Sequence, residues 1–319
     1  MMQDKILEIL RRKDEYASGE EISDSLKISR QALWKHIQEL RDSGYDIVAV
    51  PHLGYQLAAS PDKLLPAEIK HNLGTKLLGR NVIFFDAVPS TNDLAFNLAI
   101  EGSAEGTVVV AETQTKGKGR LGRSWSSPKH KGIYLSLILR PKISPAQSPV
   151  ITLMVSSSIC KAIQEVCGIE ARIKWPNDIL LQNKKLGGIL TEINAEADRV
   201  HFLIIGIGLN VNNDKNSLLP GAVSLKEAQG CHFSRLNLAQ EVLRKIEEDY
   251  FVFQKQGSLA IIESWREYNS TLGKRVRVSS DSGQLEGIAV DIENDGGLLI
   301  RDDLGLTRKV MAGDVTHCR

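Results

Sequence analysis

The segment KWPNDILLQNKKLGGIL, Lys174 to Leu190, decides how the centre of this chain folds. Its pattern predicts a strand end, a turn at Trp175-Pro176, a short apolar strand, a tight turn at Gln182 to Lys184 and a further strand that opens with two glycines. This hairpin would bring three polar side chains together: Asn177, Asp178 and Lys185. In isolation, the same residues are equally consistent with a packed Trp-Pro turn and a turn-capping aspartate.

A second segment, KGKGRLGRSW, spans Lys116 to Trp125 and combines three glycines with four cations in ten residues. Glycine lets backbone N–H groups approach an anion closely, and lysine and arginine supply positive charge and additional donors. Neither the P-loop pattern nor the dinucleotide-binding glycine pattern is present in register. The segment therefore predicts an anion-binding loop of another kind, with a flexible basic surface loop as the alternative.

Together the two segments resemble the biotin-protein ligase family, in which a basic glycine-rich loop precedes K-W-P-N-D and a lysine lies seven residues after the aspartate. Ser90-Thr91-Asn92, Gln114 and GIGLN, Gly206 to Asn210, follow in that family's order, so the resemblance covers nearly the whole chain from Pro66 onward. It implies ATP-dependent conversion of biotin to biotinyl-5′-AMP and transfer of biotin to a lysine of biotin carboxyl carrier protein. The implied enzyme is a biotin-[acetyl-CoA-carboxylase] ligase.

The resemblance also assigns a biotin site, because a ureido ring needs paired donors and acceptors among apolar walls. The implied biotin-binding residues are Ser90, Thr91, Asn92, Gln114, Lys118, Gly119, Arg120 and Lys185. Read alone, Ser90 to Asn92 are also typical of a helix N-cap, and both roles are compatible. Lys118 stands where the commonest family form, G-R-G-R-x-G-R, has its first arginine, a change that bears on ligand affinity.

Joining a carboxylate to ATP requires two anions to meet, so cations must offset their repulsion. By resemblance Lys185 holds both the biotin carboxylate and the α-phosphate, although a solvated hairpin lysine like Lys184 is the alternative. Arg120 and Asp178 complete the catalytic set. The implied ATP-binding residues are Gly117, Arg123, Trp125, Asn177, Asp178 and Asn210. Whether Asp178 binds Mg²⁺, the ribose or the base is left open at this point.

Composition agrees with a soluble intracellular enzyme. The 319 residues carry a formal net charge of +1 and 25% charged residues, which argues against a strongly cationic nucleic-acid coat. We interpret the four scattered cysteines, Cys160, Cys167, Cys231 and Cys318, as reduced, mostly buried small hydrophobic residues. No charged-then-apolar leader opens the sequence, and the longest apolar run, around Phe202 to Leu209, is far shorter than the roughly 20 residues of a membrane helix. We therefore expect a cytoplasmic protein without a membrane segment.

The N-terminal residues predict a winged helix-turn-helix. Apolar periodicity marks a helix at Lys5 to Leu10 and a second at Gly19 to Leu26, and Ser29 caps a third that Gly44 ends. Alternating apolar residues bent around Pro51 to Gly54 then form a β-hairpin. Three helices followed by a hairpin make this motif.

The charge of this block is concentrated on its third helix. Residues 1–59 hold 8 Lys and Arg against 10 Asp and Glu, a net of −2, whereas residues 27–41 hold four cations and one carboxylate, a net of +3. The candidate DNA-binding residues are Ser29, Arg30, Gln31, Lys35 and His36. By resemblance the protein represses the biotin biosynthesis genes from their operator DNA as a ligand-promoted homodimer. A domain kept only for dimerisation or for positioning the ligase is the alternative.

The predicted fold class is therefore multidomain α+β. A winged helix-turn-helix occupies residues 1–60, an α+β ligase domain with a mixed or antiparallel sheet occupies residues 66–269, and residues 270–319, with short strands and glycine turns, form a small SH3-like β-barrel. Two other functions compete: a lipoate-protein ligase, which shares fold and reaction type, and a biotin-sensing transcription factor without ligase activity.

Overall fold

The structure is a computed structural model that describes residues 2–13, 15–280 and 283–317. The chain divides into two compact units, Met1–Lys63 and Leu64–Arg319.

The first unit contains three helices and a two-stranded antiparallel hairpin. Its elements are α1 (Met2–Arg12), α2 (Gly19–Leu26), α3 (Arg30–Asp42), β1 (Asp46–Val50) and β2 (Gly54–Ala59). Each helix turns an apolar stripe inward, since Ile6, Ile22 and Ile37 are completely buried. The winged helix-turn-helix prediction is confirmed.

Local chemistry explains the boundaries of these elements. The Ser29 hydroxyl accepts a hydrogen bond from the Ala32 N–H at 3.1 Å and so begins α3 as an N-cap. The Arg41 guanidinium donates to the Ile47 carbonyl at 2.6 Å and ties the end of α3 to the hairpin. Gly54 has φ +115°, and a Cβ there would come within 2.0 Å of the Ala17 carbonyl, so only glycine fits at this corner.

The second unit is built on a seven-stranded mixed sheet with the order β3-β4-β5-β9-β8-β7-β6. Its strands are β3 (Val82–Phe85), β4 (Val108–Ala111), β5 (Ile133–Leu139), β6 (Arg172–Lys174), β7 (Asp178–Leu181), β8 (Lys184–Ala195) and β9 (Val200–Leu209). Strands β3 and β4 are parallel, and the other neighbours are antiparallel. This is the mixed sheet that the sequence predicts.

Helices cover both faces of this sheet. They are α4 (Pro66–Lys70), α5 (Thr91–Ile100), α6 (Ser148–Cys167), α7 (Leu225–Gln229), α8 (Arg235–Gln256) and α9 (Ser258–Tyr268). Alternation along the strands assigns the faces: Val108 and Val110 belong to the cluster with α6, α8 and α9, whereas Val109 lies in the cluster with Ala95 of α5. The α5 face carries the site described below.

The C-terminal residues of this unit form a five-stranded antiparallel sheet with the order β13-β12-β11-β10-β14. Its strands are β10 (Arg275–Ser280), β11 (Gly283–Ile292), β12 (Leu298–Arg301), β13 (Thr307–Val310) and β14 (Asp314–His317). Within the described residues the edge strands β13 and β14 do not pair with each other, so no closed barrel is detected where one was expected. Glycine turns fix the number of strands, but closure depends on pairing of the two edges, which has no local signal.

The longest apolar segment of the second unit lies largely in its core. By length and composition the segment Pro145–Cys167 could cross a membrane, but 67% of its apolar 18-residue window is buried inside the fold, as in a core helix. Cys160 is buried, Cys167 is half-buried and Cys231 is exposed, so the expectation of mostly buried cysteines fits only part of the set; Cys318 lies outside the described residues. Burial raises the pKa of the Cys167 thiol to about 11, since the thiolate would be poorly solvated.

Candidate functional site

A cavity of about 290 Å³ opens on the α5 face of the sheet, at the ends of β8 and β9. Glycines on β9 make room for it. A Cβ at Gly206 would lie 2.1 Å from the Asn92 side chain, and one at Gly208 would lie 2.6 Å from the Trp125 indole. The GIGLN segment therefore alternates between apolar residues that enter the core, Ile207 and Leu209, and glycines that let the Asn92 and Trp125 side chains approach the strand closely.

One end of the cavity is lined by a hydrogen-bonded polar set at the start of α5. The Ser90 hydroxyl caps the helix by accepting from the Asp93 N–H at 3.4 Å. The Thr91 N–H and hydroxyl both donate to Gln114 Oε1, at 2.9 and 3.1 Å, and Gln114 Nε2 donates to the Ser127 hydroxyl at 2.9 Å. The predicted helix cap is therefore present, and the capping residue and its neighbours line the cavity, as a binding role would require.

Asn92 also lines the cavity, but both the NH2 group and the oxygen of its amide are hydrogen-bonded to other protein groups. Its Nδ2 donates to the Leu190 carbonyl at 3.3 Å and to Glu192 Oε2 at 2.7 Å, and its Oδ1 accepts from the Ser136 hydroxyl at 2.6 Å. Neither Ser136 nor Glu192 was singled out in the sequence. The local signal for Ser136 is a single serine within the otherwise apolar and aromatic strand IYLSLIL.

The glycine-rich loop folds back on itself beside this polar set. Gly119 donates its N–H to the Arg123 carbonyl at 2.6 Å, and Trp125 donates its N–H to the Gly117 carbonyl at 2.8 Å. A Cβ at Gly117 would lie 2.4 Å from the Trp125 carbonyl, which explains the glycine at that position. The loop tip, Leu121, has φ 55° and a 67% exposed side chain.

The loop cations reach three different elements. Lys118 forms an ion pair with Asp93 of α5, and Arg123 forms one with Asp314 at the start of β14. Arg120 donates to Asn177 Oδ1 at 3.0 Å and to the Gly313 carbonyl at 3.2 Å. The C-terminal sheet therefore contributes to the site, which no local sequence pattern indicated.

These contacts set the charge states of the loop. Burial lowers the pKa of Arg120, while the carboxylates of Asp178 and Asp314 act in the opposite direction. Hydrogen bonding to Asp93 raises the pKa of Lys118, and hydrogen bonding to Asp314 raises that of Arg123. All three side chains stay cationic near neutral pH, as an anion site requires.

The predicted hairpin places its polar residues as expected. Gln182 and Asn183 both have positive φ, 51° and 60°, and form the tight turn between β7 and β8. Lys185 Nζ lies 2.6 Å from Asp178 Oδ1 and 5.6 Å from the centre of the Trp125 ring, inside the cavity. Asn177 donates to the Ile189 carbonyl at 2.9 Å, which fixes its amide oxygen toward Arg120.

The opposite end of the cavity is bounded by the segment after GIGLN. Asn210 is 5% exposed and donates to the Val223 carbonyl at 3.3 Å. Asp214 anchors this segment through Lys226 Nζ at 2.5 Å and Lys131 Nζ at 2.9 Å. The lining of the cavity continues through Ser217, Leu218, Leu219 and Pro220.

In the N-terminal unit the candidate DNA-binding residues separate into two groups. Arg30, Gln31 and Lys35 are exposed on α3, and Arg30 is paired with Glu20 at 3.0 Å through side chains that are 70% and 69% exposed. By contrast, Ser29 is occupied as the N-cap and His36 Nδ1 lies 3.0 Å from Glu39 Oε2. That contact lowers the pKa of Glu39. The exposed face of α3 also carries Trp34, which is 57% exposed.

This combination of a helix-turn-helix unit with a mixed sheet and an anion-binding glycine loop defines a class, the ligases joined to a DNA-binding domain. Models of three families match the chain: the biotin/lipoate A/B protein ligase family at residues 84–210, an HTH domain at residues 3–56 and the biotin protein ligase C terminal domain at residues 271–317.

Similar proteins identify the family within that class. The bifunctional ligase/repressor BirA of Bacillus subtilis (strain 168) is 40% identical over 95% of this chain and 94% of that protein. The protein of the same name from Escherichia coli (strain K12) is 32% identical over 95% and 93%. The biotin protein ligase from Aquifex aeolicus in complex with biotin and ATP has a TM-score of 0.65 and 30% identity, covering 75% of this chain and 99% of that one. The chain belongs to the biotin-protein ligase family of bifunctional ligase/repressor proteins.

Proposed function

We propose that this protein activates biotin with ATP to biotinyl-5′-AMP, transfers biotin to a lysine of biotin carboxyl carrier protein, and represses the biotin biosynthesis genes through its N-terminal unit. The observation that carries the ligase function is the position of Lys185. Its ammonium group lies 2.6 Å from the Asp178 carboxylate and 5.6 Å from the centre of the Trp125 ring, in a cavity that the loop cations also line. A cation held there can meet both reacting anions.

The biotin ring would occupy the end of the cavity at Thr91 and Gln114. Gln114 has its Oε1 turned to Thr91 and one Nε2 proton turned to Ser127, so its remaining donor and acceptor positions are fixed in direction. A cyclic urea carries both N–H donors and a carbonyl acceptor and fits such a surface. The valeryl chain would then run toward Lys185 and the backbone of Lys118 to Arg120.

Adenylation is an attack of a biotin carboxylate oxygen on the α-phosphorus of ATP, with pyrophosphate as the leaving group. Lys185 would bind the carboxylate and the α-phosphate together and hold them in line. Arg120, which keeps a carboxylate on either side, would offset the charge that accumulates on the phosphate oxygens. Asp178 would hold Lys185 in place through the 2.6 Å ion pair.

The nucleotide would lie between the loop and the segment that Asp214 anchors. Gly117, Arg123 and Trp125 would meet it from one side, and Asn177, Asp178 and Asn210 from the other. The Trp125 Nε1 donor is buried and makes no hydrogen bond within the described part of the chain, which leaves it available to a ligand. Exposed Leu219 offers apolar surface to the base.

Mg²⁺ would accompany ATP. The described residues contain no group of three His, Cys, Asp or Glu side chains that could enclose a metal ion. Mg²⁺ normally keeps water and substrate phosphates as ligands with one or two carboxylates, and Asp178 is the carboxylate that we propose for it. The ion would supply positive charge to the phosphates.

The acceptor protein would meet an open sheet edge. Beyond Leu190, β8 pairs with β9 on one side, and its other side is open in the described structure. Exposed Ile193 lies on this edge, beside a second cavity of about 190 Å³ that shares Arg120 and Asn177 with the first. An extended segment of the carrier could add to the edge and direct its lysine toward the mixed anhydride.

The same edge would serve a ligand-promoted homodimer. A dimer doubles the number of phosphate contacts and matches a two-fold operator, which a single winged helix with few cations cannot do. If biotinyl-AMP orders the loops next to β8, it lowers the entropic cost of assembly. Acceptor and second copy would then compete for one surface.

The domain boundaries, the DNA contacts and the cellular compartment are also part of what we propose. We propose a DNA-binding domain at residues 1–60, a catalytic domain at residues 66–269 and a C-terminal domain at residues 270–319. Arg30, Gln31 and Lys35 would contact operator DNA, with Ser29 and His36 supporting the helix that carries them. The protein would act in the cytoplasm.

Purified protein should exchange labelled pyrophosphate into ATP only when biotin is present, and should label a carrier domain with biotin. It should also shift a fragment from the promoter of the biotin biosynthesis genes more strongly with biotin and ATP. Exchange that depends on lipoate instead would identify a lipoate ligase, and ligand-dependent DNA binding without exchange would identify a sensor.

A further inference from the structure

Ser136 is a polar residue in a strand that is otherwise apolar. It lies at the middle of β5 and is completely buried. In the sheet it pairs with Val109 of β4 on one side and with Gly206 of β9 on the other. Because side chains alternate along β5, Ser136 points to the same face as α5. It does not reach the cavity lining, so it can affect a ligand only through its neighbours.

The neighbours of Ser136 are two cavity residues. Its hydroxyl oxygen lies 2.6 Å from Asn92 Oδ1 and 2.8 Å from Thr91 Oγ1. The Asn92 amide orientation is fixed, because its Nδ2 already donates to Glu192 and to the Leu190 carbonyl. An amide oxygen can only accept, so the Ser136 proton goes to Asn92. The lone pairs of Ser136 are then left for Thr91.

This assignment determines what Thr91 can present to the cavity. The Thr91 hydroxyl proton has two acceptors in the protein, Ser136 Oγ and Gln114 Oε1 at 3.1 Å. With its proton directed into the protein, Thr91 Oγ1 offers a lone pair to the cavity and acts there as an acceptor. A ring N–H is the matching donor, as in a cyclic urea.

We infer that Ser136 is a positioning residue for ring recognition, which rests on the biotin ligase function proposed above. It donates to the oxygen of the already oriented Asn92 amide and gives the Thr91 proton a second buried acceptor besides Gln114, which favours the state in which Thr91 accepts from a ligand N–H. Without the Ser136 hydroxyl, the nearly buried Asn92 oxygen loses its donor and Thr91 loses one acceptor.

The test measures biotin binding by calorimetry without ATP, and pyrophosphate exchange, for the whole protein. Ser136→Ala should raise the Kd and the KM for biotin about tenfold, while kcat at saturating biotin and the KM for ATP change less than about twofold. Ser157→Ala is the matched control, since Ser157 is equally buried but its hydroxyl donates only to a carbonyl of its own helix. That control should keep the wild-type Kd.

A double-mutant cycle separates positioning from general loosening of the core. If Ser136 acts through Thr91, Ser136→Ala should cost much less biotin affinity in a Thr91→Val background than in the wild type. Ser136→Cys keeps a weak hydrogen-bond donor and replaces the alanine variant in the test if that variant does not fold. Its Kd for biotin should lie between the wild-type value and the value expected for Ser136→Ala. A wild-type Kd in the alanine variant, or equal losses in both backgrounds, would overturn the inference. Wild-type protein that binds no biotin would instead refute the proposed function.

Discussion

Arg123 of the glycine-rich loop forms an ion pair with Asp314, which lies 191 residues further along the chain at the start of β14. The neighbouring Gly313 carbonyl accepts from Arg120, so the C-terminal sheet holds the loop at two points. Hydrogen bonding to Arg123 lowers the pKa of Asp314. The C-terminal sheet thereby lines the candidate site.

Asp314→Ala should loosen the glycine-rich loop. Because both side chains are largely exposed, the pair contributes at most about 1 kcal/mol, which corresponds to about fivefold in the population of open loop. The rate of trypsin cleavage at Lys116 to Arg123 should rise by up to about fivefold. Biotin with ATP should protect the loop from trypsin less well in this variant than in the wild type. Asp303→Ala, which removes an exposed ion pair with Arg275 on the same sheet, should leave cleavage unchanged.

Lys185→Ala should reduce biotin-dependent pyrophosphate exchange by about 10²- to 10³-fold, since it removes a charge contact made chiefly in the transition state. The fold should be intact, because Lys185 is 38% exposed. The adjacent Lys184, which is exposed, supplies the control, and Lys184→Ala should exchange at the wild-type rate. An alanine variant at position 185 with normal exchange would contradict the assignment.

Asp214 should make the nucleotide-side segment sensitive to acid. Hydrogen bonds from Lys226 and Lys131 lower its pKa to about 2, below the ordinary value. A lowered carboxyl pKa stabilises the folded state fully above the unfolded value of about 3.9, and this contribution is lost as the pH falls through the folded value of about 2. Wild-type protein should therefore be more stable than Asp214→Asn at pH 5, and the difference should shrink as the pH falls from about 3.9 through about 2.

Urea unfolding across this pH range measures the effect. Asp198→Asn, on an exposed turn, is the control and should track the wild type throughout. Asp214→Asn should also raise the KM for ATP more than the KM for biotin, because the anchored segment bounds the nucleotide end. A difference that did not shrink between pH 5 and pH 2 would show that the effect does not arise from the charge.

Arg30→Ala should weaken operator binding and lower the slope of log K against log salt by about 1, because one phosphate-neutralising cation is lost. Biotinylation should not change. Arg12→Ala removes an exposed cation from α1 and is the control for charge alone. Fluorescence anisotropy at several salt concentrations measures the operator affinity of both variants. An equal loss of affinity in Arg30→Ala and Arg12→Ala would argue against α3 as the DNA-reading helix.

Ile193→Lys should impair both uses of the open β8 edge. A buried cation at an apolar contact is costly, so biotin with ATP should no longer produce a dimer in sedimentation experiments, and transfer to the carrier should slow. Adenylate formation should persist. Leu259→Lys places the same charge at another exposed apolar position, on α9, and should behave as wild type. Dimerisation of the Ile193 variant would place the interface elsewhere.

Several parts of the site follow directly from short segments of sequence. The tight turn at Gln182 and Asn183 brings Asp178 and Lys185 together across a two-residue loop, and this proximity is set by hairpin geometry alone. The Ser90 cap is likewise a local feature, because its hydroxyl accepts from the N–H of Asp93, three residues further along the chain. Such features depend on residues within one turn or hairpin, where propensity and spacing act without help from the rest of the chain.

Barrel closure, which we expected from the sequence, is not detected in the described C-terminal residues, for the complementary reason. Short strands and glycine turns predict an antiparallel sheet, and the structure has one. Whether β13 meets β14 depends on the twist accumulated across all five strands. That quantity is a property of the assembled sheet and leaves no mark in any single strand.

The sequence by itself determined the helices and strands, the concentration of glycine and cations in the loop and the pairing of Lys185 with Asp178, because each depends on neighbours in the chain. Only the tertiary structure decided that Asp314 holds Arg123 and that Ser136 lies beneath Thr91 and Asn92. Sheet packing brings together residues that are far apart in sequence, and a buried hydroxyl or a surface carboxylate acquires its partner only when those elements meet.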